Sequence, residues 1–399
     1  MNRINFPKSD NSAWIMYSAE NCDPYFTKFV TNKTIVPAIA ILSNNKNFLI
    51  VHSLDHENVK NFDGEIYLYS GENSMIKCIF TALKELNYPQ NIFLNFSDRQ
   101  DFQTDVLGYG TYKFLHDNIL NHYTATGIPL PDFKSADEII YSLMDKKSET
   151  DIKYFKMAAN RALEILNITF KNIKTGMSEK QILNLVHNIF KRKPLYFKKW
   201  GIIKEEFSWE KELCPVVLVG PNLQKGGHSC AGNTIFKKGY TIYFDFGVKL
   251  QFENGKKYSS DIQRMGYALL PGEKTAPKNV QKVFDTLVFA IEKGMQNANP
   301  KNHGYNIDSI VRNTIISAGY PDYNHATGHP IGEDAHSPGT SLSPRGRKRA
   351  DMFLQENGIY TIEPRIQIEN GGSIEEMVLV TKNGGVALCP PQKKLYLIR

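Results

Sequence analysis

Between Trp14 and Tyr141, short apolar runs alternate with segments of helical spacing. Ala38-Ile-Ala-Ile-Leu42 and Phe48-Leu-Ile-Val51 flank the polar cluster Ser43-Asn-Asn-Lys-Asn47, a pattern that predicts a hairpin. Helical spacing from Ile76 to Leu86 and a further strand at Ile92-Phe-Leu-Asn-Phe96 make this stretch an α/β module. Gly127-Ile-Pro-Leu-Pro-Asp132 breaks the periodicity. Ser148, with Asp151 three residues on, then reads as an N-cap ahead of Ile152, Phe155, Ala159, Ala162, Leu163 and Leu166 at helical spacing. The pattern therefore sets a boundary between an N-terminal α/β domain, 1–147, and a second domain, 148–399.

The second domain opens with two helices joined around Gly176, the second capped by Ser178 and Gln181. Beyond Cys214 the texture is that of strands: Val216-Val-Leu-Val219, Thr241-Ile-Tyr-Phe244, Gly358-Ile-Tyr-Thr-Ile362 and Met377-Val-Leu-Val-Thr381. Helical stretches at Val280 to Met295 and Ile307 to Ala318 lie between them. The expected class is α+β, with a largely antiparallel sheet carrying helices on its outside.

Composition narrows the function. The chain is 41% hydrophobic and 22% charged, which excludes disordered and fibrous classes. Forty-eight basic against forty-one acidic residues leave +7, but the charges are scattered. The densest basic group, Arg345, Arg347, Lys348 and Arg349, reads as a loop edge, so no nucleic-acid partner is expected. The five cysteines, Cys22, Cys78, Cys214, Cys230 and Cys389, show no paired spacing and read as reduced thiols. The first residues carry no apolar signal region and no run is long enough to span a bilayer, so the expected location is the cytoplasm, without a membrane partner.

Four carboxylates stand at the ends of apolar strands, where burial is costly unless something positive sits among them. Asp245 closes Thr241-Ile-Tyr-Phe-Asp245-Phe-Gly247, Asp261 follows Tyr258-Ser-Ser, Glu363 closes Gly358-Ile-Tyr-Thr-Ile-Glu363-Pro364, and Glu375 precedes Glu-Met-Val-Leu-Val-Thr381. The segment His325-Ala-Thr-Gly-His329-Pro-Ile-Gly-Glu-Asp-Ala-His336 adds three histidines in a glycine-punctuated stretch. By contrast His52, His56, His116 and His122 have no carboxylate-rich context and read as structural or surface residues. Two divalent ions cancel four carboxylates, and a neutral imidazole leaves that balance undisturbed. Oxygen-dominated donors with one nitrogen suit Mn, Co, Fe or Mg better than a structural zinc site, and the expected cofactor is a pair of divalent ions, Mn first with Co or Zn as alternatives.

In order and in local strings, these residues resemble the metallopeptidases of pita-bread fold, which include methionine aminopeptidase, Xaa-Pro aminopeptidase and prolidase. The D-x-G string matches Asp245-Phe-Gly247, S-D-I-x-R matches Ser260 to Arg264, and H-x-x-G-H-x-x-G-x-x-x-H matches His325 to His336. T-x-E-P matches Thr361 to Pro364, and I-E-x-x-V-x-V-T matches Ile374 to Thr381. The resemblance implies a C-terminal pita-bread domain with a smaller N-terminal creatinase-like α/β domain. It implies a metal set of Asp245, Asp261, His329, Glu363 and Glu375, with Asp261 and Glu375 bridging two ions. His228, His336 and Glu363 take catalytic roles by the same resemblance, and His325, His336 and Arg365 line the substrate side.

The N-terminal module is similar to that of the proline-directed branch, so the implied activity is an Xaa-Pro aminopeptidase acting on peptides, as a homodimer. An Xaa-Pro dipeptidase of prolidase type is the alternative. A non-catalytic peptide-binding module of the same fold is the alternative from another class, and a creatinase-type hydrolase a further one. The chain departs from the family pattern at Ser373, Arg365 and Ser337, read here as changes at the rim and substrate pocket, and Phe252-Glu-Asn-Gly-Lys256 implies a longer hairpin between Asp245 and Asp261.

Overall fold

The structure is a computed structural model and describes residues 11–99, 101–224, 229–347 and 349–399. The chain folds into two compact units, divided between Leu143 and Met144. In the first, the strands run in the order Glu65–Tyr69, Phe48–His52, Ala38–Leu42, Ser12–Ser18, Asn91–Leu94, Asp132–Ser135. Ala38–Leu42 and Phe48–His52 form the antiparallel hairpin, with Ile39 opposite Ile50, while the strands outside the central antiparallel pairs join in parallel. The helices Glu72–Glu85 and Tyr109–Thr126 bury Ile79, Leu83, Leu115 and Ile119 in one core with Ile39, Ile41 and Ile50. The sequence pattern missed Tyr109–Thr126 because its apolar face is interrupted by His116, His122 and several tyrosines. His122 stacks on Phe80 at 3.9 Å between centroids, which fits its structural reading.

The second unit opens as the capping signals require. Ser148 Oγ accepts from Asp151 N at the head of Glu149–Asn172, and Ser178 Oγ accepts from Gln181 N at the head of Glu179–Phe190. Val216–Val219, Thr241–Phe246 and Ile262–Ala268 lie side by side, antiparallel, and Tyr396–Ile398 joins the last of these in parallel. Ile359–Ile362, Glu376–Thr381 and Gly384–Ala387 form a separate antiparallel sheet against the helix Lys278–Asn297. The expected sheet is thus several small ones. Pro364 ends the Ile359–Ile362 strand, since it has no N–H to continue a ladder.

Val248–Phe252 and Lys257–Ser259 form the hairpin around Phe252 to Lys256, with Leu250 opposite Tyr258. Helical faces from Phe155, Ala162 and Leu166 pack with Phe244, Phe246 and Leu250 into the core beneath it. Among the described residues no helix is long and apolar enough to cross a membrane.

Candidate metal centre

Register places the acidic residues before any chemistry is considered. On adjacent antiparallel strands Asp245 stands opposite Gln263, and a backbone bridge sets Gln263 opposite Glu375. Asp261 is two residues before Gln263, so both project from the same face, because side chains alternate along a strand. Gly247 lets the strands approach: a Cβ there would lie 2.0 Å from the Ser260 carbonyl oxygen. This gives the D-x-G string its physical reason.

His329 is held beside the second sheet. Its N–H donates to Thr361 Oγ1 at 3.1 Å, its carbonyl accepts from Thr361 N at 2.9 Å, and Glu363 N donates to Thr327 O at 2.8 Å. Gly328 permits this approach too, since a Cβ would meet the Thr361 carbonyl oxygen at 2.0 Å. From the helix Gly304–Ser317, Arg312 pairs with Asp308 at 2.8 Å and donates to the His325 carbonyl at 2.9 Å, while Thr327 Oγ1 donates to Asp308 at 2.7 Å. That network fixes the histidine segment from below.

The side chains converge. His329 Nε2 lies 3.8 Å from Asp261 Oδ2 and 3.6 Å from Glu363 Oε1, and ligand atoms of Asp261, His329 and Glu375 all fall within 4.8 Å of one another. These separations are long for hydrogen bonds but close to the roughly 3–3.5 Å between neighbouring donors on one divalent ion. Asp261 Oδ1 and both Glu375 carboxylate oxygens are buried without a hydrogen-bond donor among the described residues. Buried carboxylate oxygens without donors cost several kcal/mol in ionised form, so the donor set fits cations.

The electrostatics agree. Burial, then the neighbouring Glu375 and Asp245, hold Asp261 well above the usual carboxylate range. Burial followed by Asp261 and Asp245 does the same to Glu363, and burial followed by Glu363 and Asp245 to Glu375. Burial and the adjacent His336 ring push His329 down to about 3, leaving a neutral imidazole at physiological pH. Cation uptake must therefore displace protons from the carboxyl groups but none from His329. Affinity is expected to rise with pH. In calorimetric titrations of metal-stripped protein, the apparent binding enthalpy should scale with the buffer's ionisation enthalpy; buffer-independent heats would contradict this.

His336 is exposed, its ring 4.4 Å from that of His329, and His325 is half-buried, its ring 4.8 Å from that of Tyr323. His228 and Lys348 lie outside the described residues. Arg365, Ser373 and Ser337, read as changes at the rim and substrate pocket, are all buried. Arg365 Nη2 donates to the Leu223 carbonyl at 2.9 Å and its guanidinium stands 5.3 Å from the Tyr243 ring centre, so it braces the Gly220–Gln224 turn against the strand end that carries Glu363. Ser373 Oγ caps the Pro364 carbonyl at 2.9 Å.

Sequence reasoning missed Gln263 and the role of Arg264. Gln263 Nε2 donates to Asp245 Oδ2 and Glu363 Oε2, and Arg264 Nη1 donates to the carbonyls of Gln263 and Glu375. The two-residue period from Asp261 was the signal that could have found Gln263.

Residues 153–382 match the model of metallopeptidase family M24. The chain belongs to this family. Among curated M24-like relatives, it is 26% identical over 269 residues to an Xaa-Pro dipeptidase of Pyrococcus horikoshii, covering 67% of this chain and 68% of that protein. It is 31% identical over 271 residues to the putative dipeptidase YkvY of Bacillus subtilis, covering 67% and 66%. The fold is that of the X-Pro aminopeptidase from Thermotoga maritima, with a TM-score of 0.63 at 23% identity over 97% of each chain. The prolidase from Pyrococcus horikoshii OT3 gives 0.61 at 22% identity over 96% and 95%. As an M24 member the protein is a metal-dependent peptidase of pita-bread fold, a family that works with divalent ions, and Asp261, His329 and Glu375 form a group that could hold one.

Proposed function

We propose that this M24 peptidase is a dinuclear aminopeptidase that releases the residue preceding proline at the N-terminus of a peptide. The observation that carries the metallopeptidase reading is the convergence of Asp261, Glu363 and Glu375 with a neutral His329, and the N-terminal α/β unit, similar to that of the proline-directed branch, supports the preference for proline. Asp245, Asp261, His329, Glu363 and Glu375 would hold the pair of ions, with Mn favoured by the oxygen-rich donors and Co or Zn as alternatives. When bound, such a pair supplies Lewis acidity to the scissile carbonyl and acidifies a shared water.

The protein's own groups do the rest. Glu363, at the end of the Ile359–Ile362 strand beside His329, accepts the proton of the attacking water and returns it to the departing amine as the C–N bond breaks. His336, exposed beside His329, donates toward the oxygen on which negative charge develops. His325 lines the substrate side, and His228 shares the proton handling. A cytoplasmic location, supported by five free cysteines, and a homodimer without nucleic-acid or membrane partners complete the proposal.

An Xaa-Pro dipeptidase is the second reading, favoured by the names of the relatives above. Metal-stripped protein assayed with Xaa-Pro-Xaa tripeptides, Xaa-Pro dipeptides and Met-Ala-Ser, with and without Mn, Co or Zn, separates them. Metal-dependent cleavage of the tripeptide supports the aminopeptidase. Cleavage of the dipeptide alone moves the activity to a dipeptidase, and cleavage of Met-Ala-Ser alone removes the preference for proline.

A further inference from the structure

We propose that Gln263 is a positioning residue of the metal centre, a neutral two-donor brace that sets the spacing of Asp245 and Glu363 and thereby the affinity for divalent ions. The inference rests on the metal-pair reading above. Gln263 Nε2 lies 3.3 Å from Asp245 Oδ2 and 3.1 Å from Glu363 Oε2. One amide nitrogen carries two hydrogens, and here each has a carboxylate from a different strand to meet. The opposite amide orientation would set a carbonyl oxygen against both carboxylates, so the chemistry of the neighbours fixes which atom faces them.

The backbone beneath this amide is held from three sides. Gln263 N donates to Glu375 O at 3.3 Å, Glu375 N donates to Gln263 O at 3.2 Å, and Arg264 Nη1 donates to the same Gln263 oxygen at 2.9 Å. The side chain is itself buried, at 5% exposure. Its register opposite Asp245 is thus translated directly into the position of the amide.

A neutral donor is what the charge balance demands. A lysine here would place a positive charge among groups that must bind cations, and a glutamate would add a fifth negative one. An amide restrains two carboxylates while leaving four negative charges for two divalent ions. Partners of this kind, one bond removed from the ion, orient ligands and tune affinity.

The test uses Mn2+ titrated calorimetrically into metal-stripped full-length protein, with thermal unfolding of the metal-free forms alongside. Gln263→Met keeps the length and removes both donors; Gln263→Asn keeps the amide and shortens its reach. Wild type should take two ions. Gln263→Met should bind at least one of them about 10- to 100-fold more weakly, with a metal-free unfolding midpoint near wild type and Gln263→Asn between the two. Unchanged affinities in Gln263→Met overturn the proposal, as does a lowered metal-free midpoint with unchanged affinity, which is the signature of a purely structural role. Should Gln263→Met fail to fold, Gln263→Asn decides by the same affinity criterion. A wild type that does not take two ions is a failure of the metal-pair reading, visible without either variant.

Discussion

Asp261→Ala is expected to lose metal binding and peptide hydrolysis together, leaving only background rate. Asp261 is 5% exposed, sits between Asp245, Glu375 and His329, and has an oxygen without a hydrogen-bond donor. Wild-type protein in hundredfold excess of metal over Kd should gain about 2.7 kcal/mol for each ion bound, a rise in unfolding midpoint of roughly 5–10 °C per ion. Asp261→Ala should show no such rise. In the absence of metal the order reverses: removing one carboxyl from a crowded buried cluster relieves desolvation and like-charge repulsion, so the metal-free variant should unfold at or above the metal-free wild type. Peptide hydrolysis retained by Asp261→Ala with bound metal would sink the assignment of the site.

Strand-end carboxylates announced themselves because Asp245 and Glu363 close runs of apolar residues, and a buried charge needs a partner. Capping boxes at Ser148 and Ser178 fixed two helix starts, since their donors and acceptors are local. Sheet order was not legible. Whether Ile262–Ala268 pairs with Thr241–Phe246 or with Glu376–Thr381 is decided by non-local packing, and Ile262–Ala268 is buried along its whole length, so it shows no alternation.

The burial of Arg365, Ser373 and Ser337 was not legible for a related reason. Each stands where the family pattern has another residue, and each is buried, with a backbone carbonyl accepting from the side chains of Arg365 and Ser373. Ser373 Oγ finds the Pro364 carbonyl, Arg365 finds that of Leu223, and Gly332 leaves room for Ser337, whose Oγ a Cβ there would meet at 2.4 Å. Burial of a polar side chain depends on partners that lie far away in sequence, as the 142 residues between Arg365 and Leu223 illustrate.

The same dependence makes the loss of Arg264 costly to the fold. Arg264 is fully buried and its Nη2 pairs with Glu376 Oε2 at 3.0 Å, while Nη1 satisfies the carbonyls of Gln263 and Glu375. Arg264→Met keeps much of the packing volume but leaves the Glu376 carboxylate buried with the Gln392 N–H, at 2.9 Å, as its remaining donor in this network. Loss of one partner from a buried pair costs about 3–5 kcal/mol, a large share of a domain's stability.

The sign of its pH dependence is fixed by Glu376. Burial already raises that carboxyl above its usual range, against the pull of Arg264. Removing the arginine raises it further, so the folded variant binds a proton more readily than the unfolded chain. The deficit of Arg264→Met should be largest at neutral and alkaline pH and shrink as pH falls and Glu376 takes up a proton. Adding Glu376→Leu to Arg264→Met should recover part of the loss at pH 8 and little at pH 5, measured by denaturant unfolding of the metal-free proteins. A deficit for Arg264→Met that stays constant between pH 5 and pH 8 would show that the lost carbonyl ties, rather than the stranded carboxylate, carry the cost.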